Sequence, residues 1–277
     1  MKINKDSLSA KVGNIARERK ISANVVYYRY FFDCFLKRLS VSPYAEKFVL
    51  KGGLFLSSIL GIEKRSTLDI DFIVRKIQIE RETIIEIMKE ICEEKVDDNV
   101  SFKYIGESEI KKDDIYGGFS ISIEGRLENI RQRFDIDLAT GDVVYPSDRQ
   151  YEYKCLVTGE ILHLKSYSIE SVASEKLQTF LHKGALNSRA KDLYDLYIME
   201  RLLEKNHESL KEAFIATCRS RAFEINREKA MKILDSVSSN TMQKKFWKTY
   251  SSKTSYANEI SFEEIMTSIG RLIEIMM

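Results

Sequence analysis

The sequence predicts an α+β protein, with a mixed β-sheet and flanking helices over residues 1–165 and an α-helical domain over 166–277. Three observations predict it. Short apolar runs and alternating segments, broken by glycine pairs, recur between Phe48 and Leu156, as half-buried strands require. Helical periodicity precedes and interrupts those strands. Strand signals stop near Ser168, and helical segments then follow one another to Met277.

The elements are expected in this order. Ser7 to Arg38 reads as helical, with Val25, Val26, Phe31, Cys34, Phe35 and Leu39 close to one face. Phe48-Val49-Leu50 is a buried strand ending at Gly52-Gly53. Leu54 to Leu60 is a short buried helix closed by Gly61. Leu68 to Val74 is a second strand, and Ile79 to Glu94 a helix with Ile84, Ile85, Met88 and Ile91 on one side. Ser101–Glu107, Phe119–Leu127 and Arg131–Leu138 read as strands, with Tyr151 to Leu156 as an edge strand. In the helical part, Ile169 to His182 buries Val172, Leu177, Phe180 and Leu181, and Asn187 to Leu203 forms the next helix.

Composition narrows the function classes. A hydrophobic fraction of 44% supports a core, and two prolines with no low-complexity tract argue against long disordered linkers. The net charge is +2 although 31% of residues are charged, so any basic surface for a nucleic acid must be local. Cys34, Cys92, Cys155 and Cys218 are far apart and read as free buried thiols. His163, His182 and His207 are scattered, which argues against a zinc site. The first twenty residues carry charges throughout, unlike a signal peptide, and no apolar run is long enough to span a membrane. A cytoplasmic location is expected.

The chemistry centres on Asp69 and Asp71. On a strand they share one face while Ile70 takes the other. Carboxylates at this spacing often do no more than face water. Here the strand also carries Leu68, Ile70 and Phe72, which gives it a buried side. Lys51-Gly52-Gly53 upstream lets backbone N–H groups approach a phosphate, with a helix N-terminus behind them. Arg65 and Thr67 add a charge and a hydroxyl next to the pair. Such a group suits Mg²⁺ carrying a nucleoside triphosphate. A third carboxylate is expected from Arg133-Phe134-Asp135-Ile136-Asp137, where Asp135 and Asp137 share one face; Asp137 is favoured and Asp135 stays open. On the helices, Asp192 and Asp195 fall on one face and Lys176 lies on the helix before them, either as an interhelical ion pair or as a triphosphate contact.

Taken together, the ordered segments resemble the AbiEii/MenT family of nucleotidyltransferase-like toxins, a branch of the DNA polymerase β-type nucleotidyltransferase superfamily. The matching segments are Lys51-Gly52-Gly53-x-x-Leu56, then Arg65-x-Thr67-x-Asp69-Ile70-Asp71, then Asp137 to Asp142, and then Glu175-Lys176-Leu177 with Lys191-Asp192-Leu193-Tyr194-Asp195-Leu196. The resemblance implies a nucleotidyltransferase-like sheet followed by a helical domain. It implies that Asp69 and Asp71 hold Mg²⁺ and the triphosphate, and that Lys176 and Asp192, with Asp195, are active-site residues of the helical domain. It also implies nucleotide transfer from an NTP to an acceptor, in several relatives the 3′ end of tRNA, and a neighbouring antitoxin, often a winged-helix repressor. Two departures stand out. The superfamily's usual Gly-Ser is Gly52-Gly53 here, and Lys191 precedes Asp192 where the family often has Arg.

The expected mechanism uses Asp69, Asp71 and Asp137 at the metal, the Gly52-Gly53 backbone with Lys51, Arg65, Thr67 and Lys176 on the phosphates, and Asp137 on the acceptor hydroxyl. For an RNA acceptor, Lys244, Lys245, Trp247 and Lys248 offer basic and stacking groups; the alternative is an amphipathic helix that buries Phe246 and Trp247. Lys111-Lys112 is a weaker basic candidate, followed at once by Asp113-Asp114. Competing readings are transfer to a small molecule or a protein, and an NTP-binding module that acts through a protein partner without turnover.

Overall fold

The computed structural model describes residues 2–77, 80–110, 117–139, 144–145, 147–203 and 207–277. The Lys111-Lys112 pair, Thr140-Gly141-Asp142 and the expected helix start at Ile79 lie outside the described residues. The chain forms two compact units, one over Met1–Gly141 with Asp148–Ser166, the other over Asp142–Ser147 with Tyr167–Met277.

The first unit opens with α1 (Lys5–Arg19) and α2 (Ala23–Val41). The single helix expected over this stretch is therefore two. The chain breaks at Lys20, which adopts φ 54°, and restarts where the Ser22 side chain accepts from the Val25 N–H. A lysine in the left-handed region gives no glycine or proline signal, which is why periodicity alone runs through the break. Then follow β1 (Phe48–Lys51), α3 (Gly52–Leu60), β2 (Asp69–Val74), α4 (Arg81–Glu93), β3 (Ser101–Ile110), β4 (Gly118–Leu127), β5 (Ile130–Ala139), β6 (Arg149–Lys154) and β7 (Ile161–Ser166). The last strand has no counterpart in the sequence reading, although Leu162, Leu164 and Ser166 alternate inward. On α4, Ile87 takes the buried place expected of Ile85.

Seven strands form one sheet in the order β3-β4-β5-β2-β1-β7-β6. The β2–β5 and β1–β7 pairs are parallel and the other neighbours antiparallel, so the sheet is mixed. Its apolar face buries Ile70, Phe72, Ile121, Ile123, Ile136 and Leu138 almost completely. Helix α2 packs against β5 and β7. Edge-to-face rings fill that layer, among them Phe32 on Phe134 at 5.0 Å and Phe35 on Phe102 at 5.9 Å.

One buried charge pair sits in this core. Arg29 Nε donates to Asp33 Oδ1 at 3.1 Å, and Asp33 also accepts from the Tyr153 hydroxyl and the Leu156 N–H, each at 2.6 Å. Burial pushes the Asp33 carboxyl above its usual range, against the pull of Arg29 and these donors. Its folded pKa thus exceeds its unfolded one, so its contribution favours folding at acid pH and fades as pH rises through the folded value. Arg29→Met removes the cation and leaves the acid buried; a loss of about 3–5 kcal/mol is expected by urea denaturation at neutral pH.

The second unit is helical: α5 (Ile169–Lys183), a 3₁₀ turn at Gly184–Leu186, α6 (Ala190–Leu202), α7 (His207–Ser220), α8 (Arg227–Ser239), α9 (Thr241–Ser251) and α10 (Phe262–Met276). Helix α10 begins with a capping box between Ser261 and Glu264 and buries Ile265, Ile269, Leu272 and Ile273 against α6, α7 and α8.

Candidate active site

Strand register assembles the polar groups of the first unit. Lys51 pairs with Asp71, Asp71 with Asp137, and Asp137 with Ser120. Directly paired residues project from the same face. One row therefore crosses four strands as Ser120, Asp137, Asp71 and Lys51. A second row runs alongside as Ser122, Asp135 and Asp69. The apolar residues between them, Ile70, Ile121 and Ile136, fill the opposite face and are fully buried. The buried side fixes the register, because a slip of one residue would turn every carboxylate into the core.

Each carboxylate has a hydrogen-bond donor. The Gly53 N–H donates to Asp71 Oδ2 at 3.2 Å. Ser120 Oγ donates to Asp137 Oδ1 at 2.6 Å, and Ser122 Oγ to Asp135 Oδ1 at 2.5 Å. The Thr67 hydroxyl donates to Asp69. The two serines were not among the expected site residues. Their signal was the strict alternation of Phe119 to Ile123, but their partners become visible only once β4 and β5 are paired.

The glycine turn abuts this row. Gly52 has φ +63°, and a Cβ placed on it would lie 2.1 Å from Asp71 Oδ2. A Cβ on Gly53 would lie 2.7 Å from Thr67 Oγ1 and 3.3 Å from the Arg65 Nη2. The turn thus holds Asp71 and stacks on Thr67, with α3 starting at the glycines themselves. Arg65 is only 1% exposed and backs the turn from within. Lys51 and Thr67 are buried as well, while Asp69, Asp71 and Asp137 are partly open.

The donor set suits a hard divalent cation, since it consists of carboxylate oxygens. Among the described residues no three His, Cys, Asp or Glu side chains gather tightly enough to enclose a metal. Mg²⁺ is commonly held by one or two carboxylates together with substrate phosphates, and the Asp69–Asp71 pair fits that mode.

In the second unit, Lys176 of α5 meets α6. Its Nζ lies 2.5 Å from Asp192 Oδ1 and 2.8 Å from Asp195 Oδ2, and Arg189 Nε lies 2.9 Å from Asp192 Oδ2. Burial alone would lower the Lys176 pKa, but Asp195 and Asp192 outweigh it and hold the ammonium above its usual value. Helix α9 carries the expected RNA-contacting group. Lys244, Lys245 and Lys248 are exposed. Trp247 corrects the expectation: it is 3% exposed and its indole N–H donates to the Ile260 carbonyl at 3.0 Å, so its ring packs in the core and offers no stacking face.

A mixed sheet that carries aspartate rows beside a glycine turn, followed by a helical unit, defines the class as a nucleotidyltransferase fold. Solved structures share it: MenT4, a nucleotidyltransferase toxin from Mycobacterium tuberculosis, aligns with TM-score 0.56 at 12% identity over 96% of this chain and 98% of its own. A candidate nucleotidyltransferase from H. pylori aligns with TM-score 0.53 at 15% identity over 92% of this chain and 96% of its own. The chain belongs to the nucleotidyl transferase AbiEii toxin family of type IV toxin–antitoxin systems, whose family model matches residues 34–268. A search of curated proteins gave no significant match. Among the described residues no helix is long and apolar enough to cross a membrane.

Proposed function

We propose that this toxin transfers a nucleotide from an NTP to an RNA acceptor, the 3′ end of tRNA, in a Mg²⁺-dependent reaction that blocks translation in the cytoplasm. The observation that carries the reading is the row of Asp71 and Asp137 on adjacent parallel strands, with Asp69 one step along the same face. Bound Mg²⁺ would neutralise the triphosphate and polarise its α-phosphate. Asp69 and Asp71 would hold it. Asp137 would take the proton of the acceptor hydroxyl, whose oxygen bonds to the α-phosphorus as the bond to the β-phosphate breaks and pyrophosphate leaves. The Gly53 N–H donates to Asp71 and keeps it aimed, and the Gly52-Gly53 backbone would also approach the triphosphate. Lys51 beside Asp71, and the α3 N-terminus, supply positive potential to the β- and γ-phosphates. Arg65 and Thr67 support the turn. In the helical unit we assign Lys176, Asp192 and Asp195 to the reaction on the family resemblance, with the ion pairs keeping the lysine charged.

The RNA acceptor rests on the family resemblance and on the exposed Lys244, Lys245 and Lys248 of α9. The cognate antitoxin, on the same resemblance, is a winged-helix repressor. The reading is tested by incubating the protein with total tRNA, Mg²⁺ and each labelled NTP in turn. Label in tRNA names the nucleotide; label only in small molecules or protein would overturn the RNA acceptor.

A further inference from the structure

We propose that Ser120 is a positioning residue for Asp137, and that its hydroxyl decides which β5 carboxylate works beside Asp71. The inference rests on the nucleotidyl-transfer reading above.

Four like charges crowd one sheet face, and like charges at this spacing repel. Left alone, their side chains would rotate apart. Strand β4 supplies one hydroxyl to each β5 acid: Ser120 to Asp137 and Ser122 to Asp135. The two serines are not equivalent in place. Ser120 lies in the row that contains Asp71, and Asp71 is itself gripped by the Gly53 N–H. Asp137 and Asp71 are thus each fixed by a donor, one from β4 and one from the glycine turn. Asp135 is exposed and pairs with Asp69 instead. Ser120 is held in turn by strand packing, because the next residue, Ile121, is fully buried. A hydroxyl on a carboxylate at 2.6 Å fixes the plane of the acid, and with it the direction of both oxygens. Partners of this kind commonly set metal affinity or rate about 10–100-fold without touching the metal.

The experiment compares wild type with Ser120→Ala, Ser122→Ala and Ser120→Thr in two measurements. One is Mn²⁺ binding in the presence of NTP, followed by electron paramagnetic resonance. The other is the rate of label transfer to tRNA as NTP is varied. Ser120→Ala should lower kcat about tenfold, with Mn²⁺ binding and KM for NTP nearly unchanged, because Asp137 acts on the acceptor proton while Asp69 and Asp71 hold the metal. Ser122→Ala should stay within about twofold of wild type, and Ser120→Thr, which restores a hydroxyl on a strand, should recover most of the loss in kcat. Ser120→Ala with a wild-type kcat would overturn the inference alone, and so would a loss of Mn²⁺ binding as large as the loss of kcat, which would mark a general disruption of the site. A larger effect from Ser122→Ala would overturn it too, and would move the working acid to Asp135. A wild type that neither binds Mn²⁺ nor transfers label would overturn the underlying reading, and the inference with it.

Discussion

Gly52→Ala is expected to reduce nucleotide transfer by about 10²-fold or more, the scale of a misplaced catalytic group. Two effects add at this position. The backbone sits at φ +63°, where any residue with a Cβ is strained by about 1–2 kcal/mol. The added methyl would also lie 2.1 Å from Asp71 Oδ2 and 2.9 Å from Asp71 Cβ, so the carboxylate and its strand attachment must both move. That movement breaks the Gly53 N–H contact and pulls Asp71 out of line with Asp137. Activity should therefore fall far more than stability, which a thermal melt beside the transfer assay will separate. Gly53→Ala meets a different obstacle, the Thr67 hydroxyl at 2.7 Å, and should act through Asp69. If Gly52→Ala retained wild-type transfer, the turn would have no part in holding Asp71.

Lys176→Met should cost the helical unit about 3–5 kcal/mol, read as a shift in urea midpoint. The ammonium lies between Asp192 and Asp195, which are 4% and 1% exposed. Removing it leaves two buried acids side by side on α6, where it packs against α5, with Arg189 on one of them. Adding Asp195→Asn to Lys176→Met should recover part of the loss, because it removes one of the two charges that the lysine had balanced. The pH dependence has a definite sign. The folded pKa of Lys176 is raised above the unfolded one, so its stabilisation is complete below the unfolded value and fades only as pH rises through the folded value. Wild type and Lys176→Met should thus keep their difference through neutral pH and lose it on the alkaline side only in strong alkali. Convergence near neutrality would show that the lysine does not carry its charge in this cluster.

Much of the site could be read in the sequence because strand alternation is local. Asp69 and Asp71 share a face whatever strand lies beside them, and Ile70 with Phe72 marks the other face as core. Which β5 acid lies nearer Asp71 could not be read, because Asp135 and Asp137 share a face equally well. Only the parallel register of β2 and β5 separates them, and that register depends on residues more than sixty positions apart. The serine donors were hidden for the same reason. The Lys176 cluster was legible as a helix-face pattern on α6, yet the pattern alone could not tell an ion pair from a phosphate contact; the structure shows the ion pairs. In the fold, the break at Lys20 escaped because a lysine takes a conformation usually left to glycine, and β7 escaped because its outward face begins with an exposed Ile161. Trp247 followed ordinary helix periodicity into the core of α9.

The most direct test is transfer of labelled nucleotide to tRNA by wild type and by Asp71→Asn, each shown by circular dichroism and thermal melting to be folded. Asparagine keeps the shape and removes the charge. The aspartate row as catalytic centre predicts label with wild type and a loss of at least about 10³-fold with the variant, the range for removing a group the reaction depends on. Equal transfer by the two proteins would contradict it.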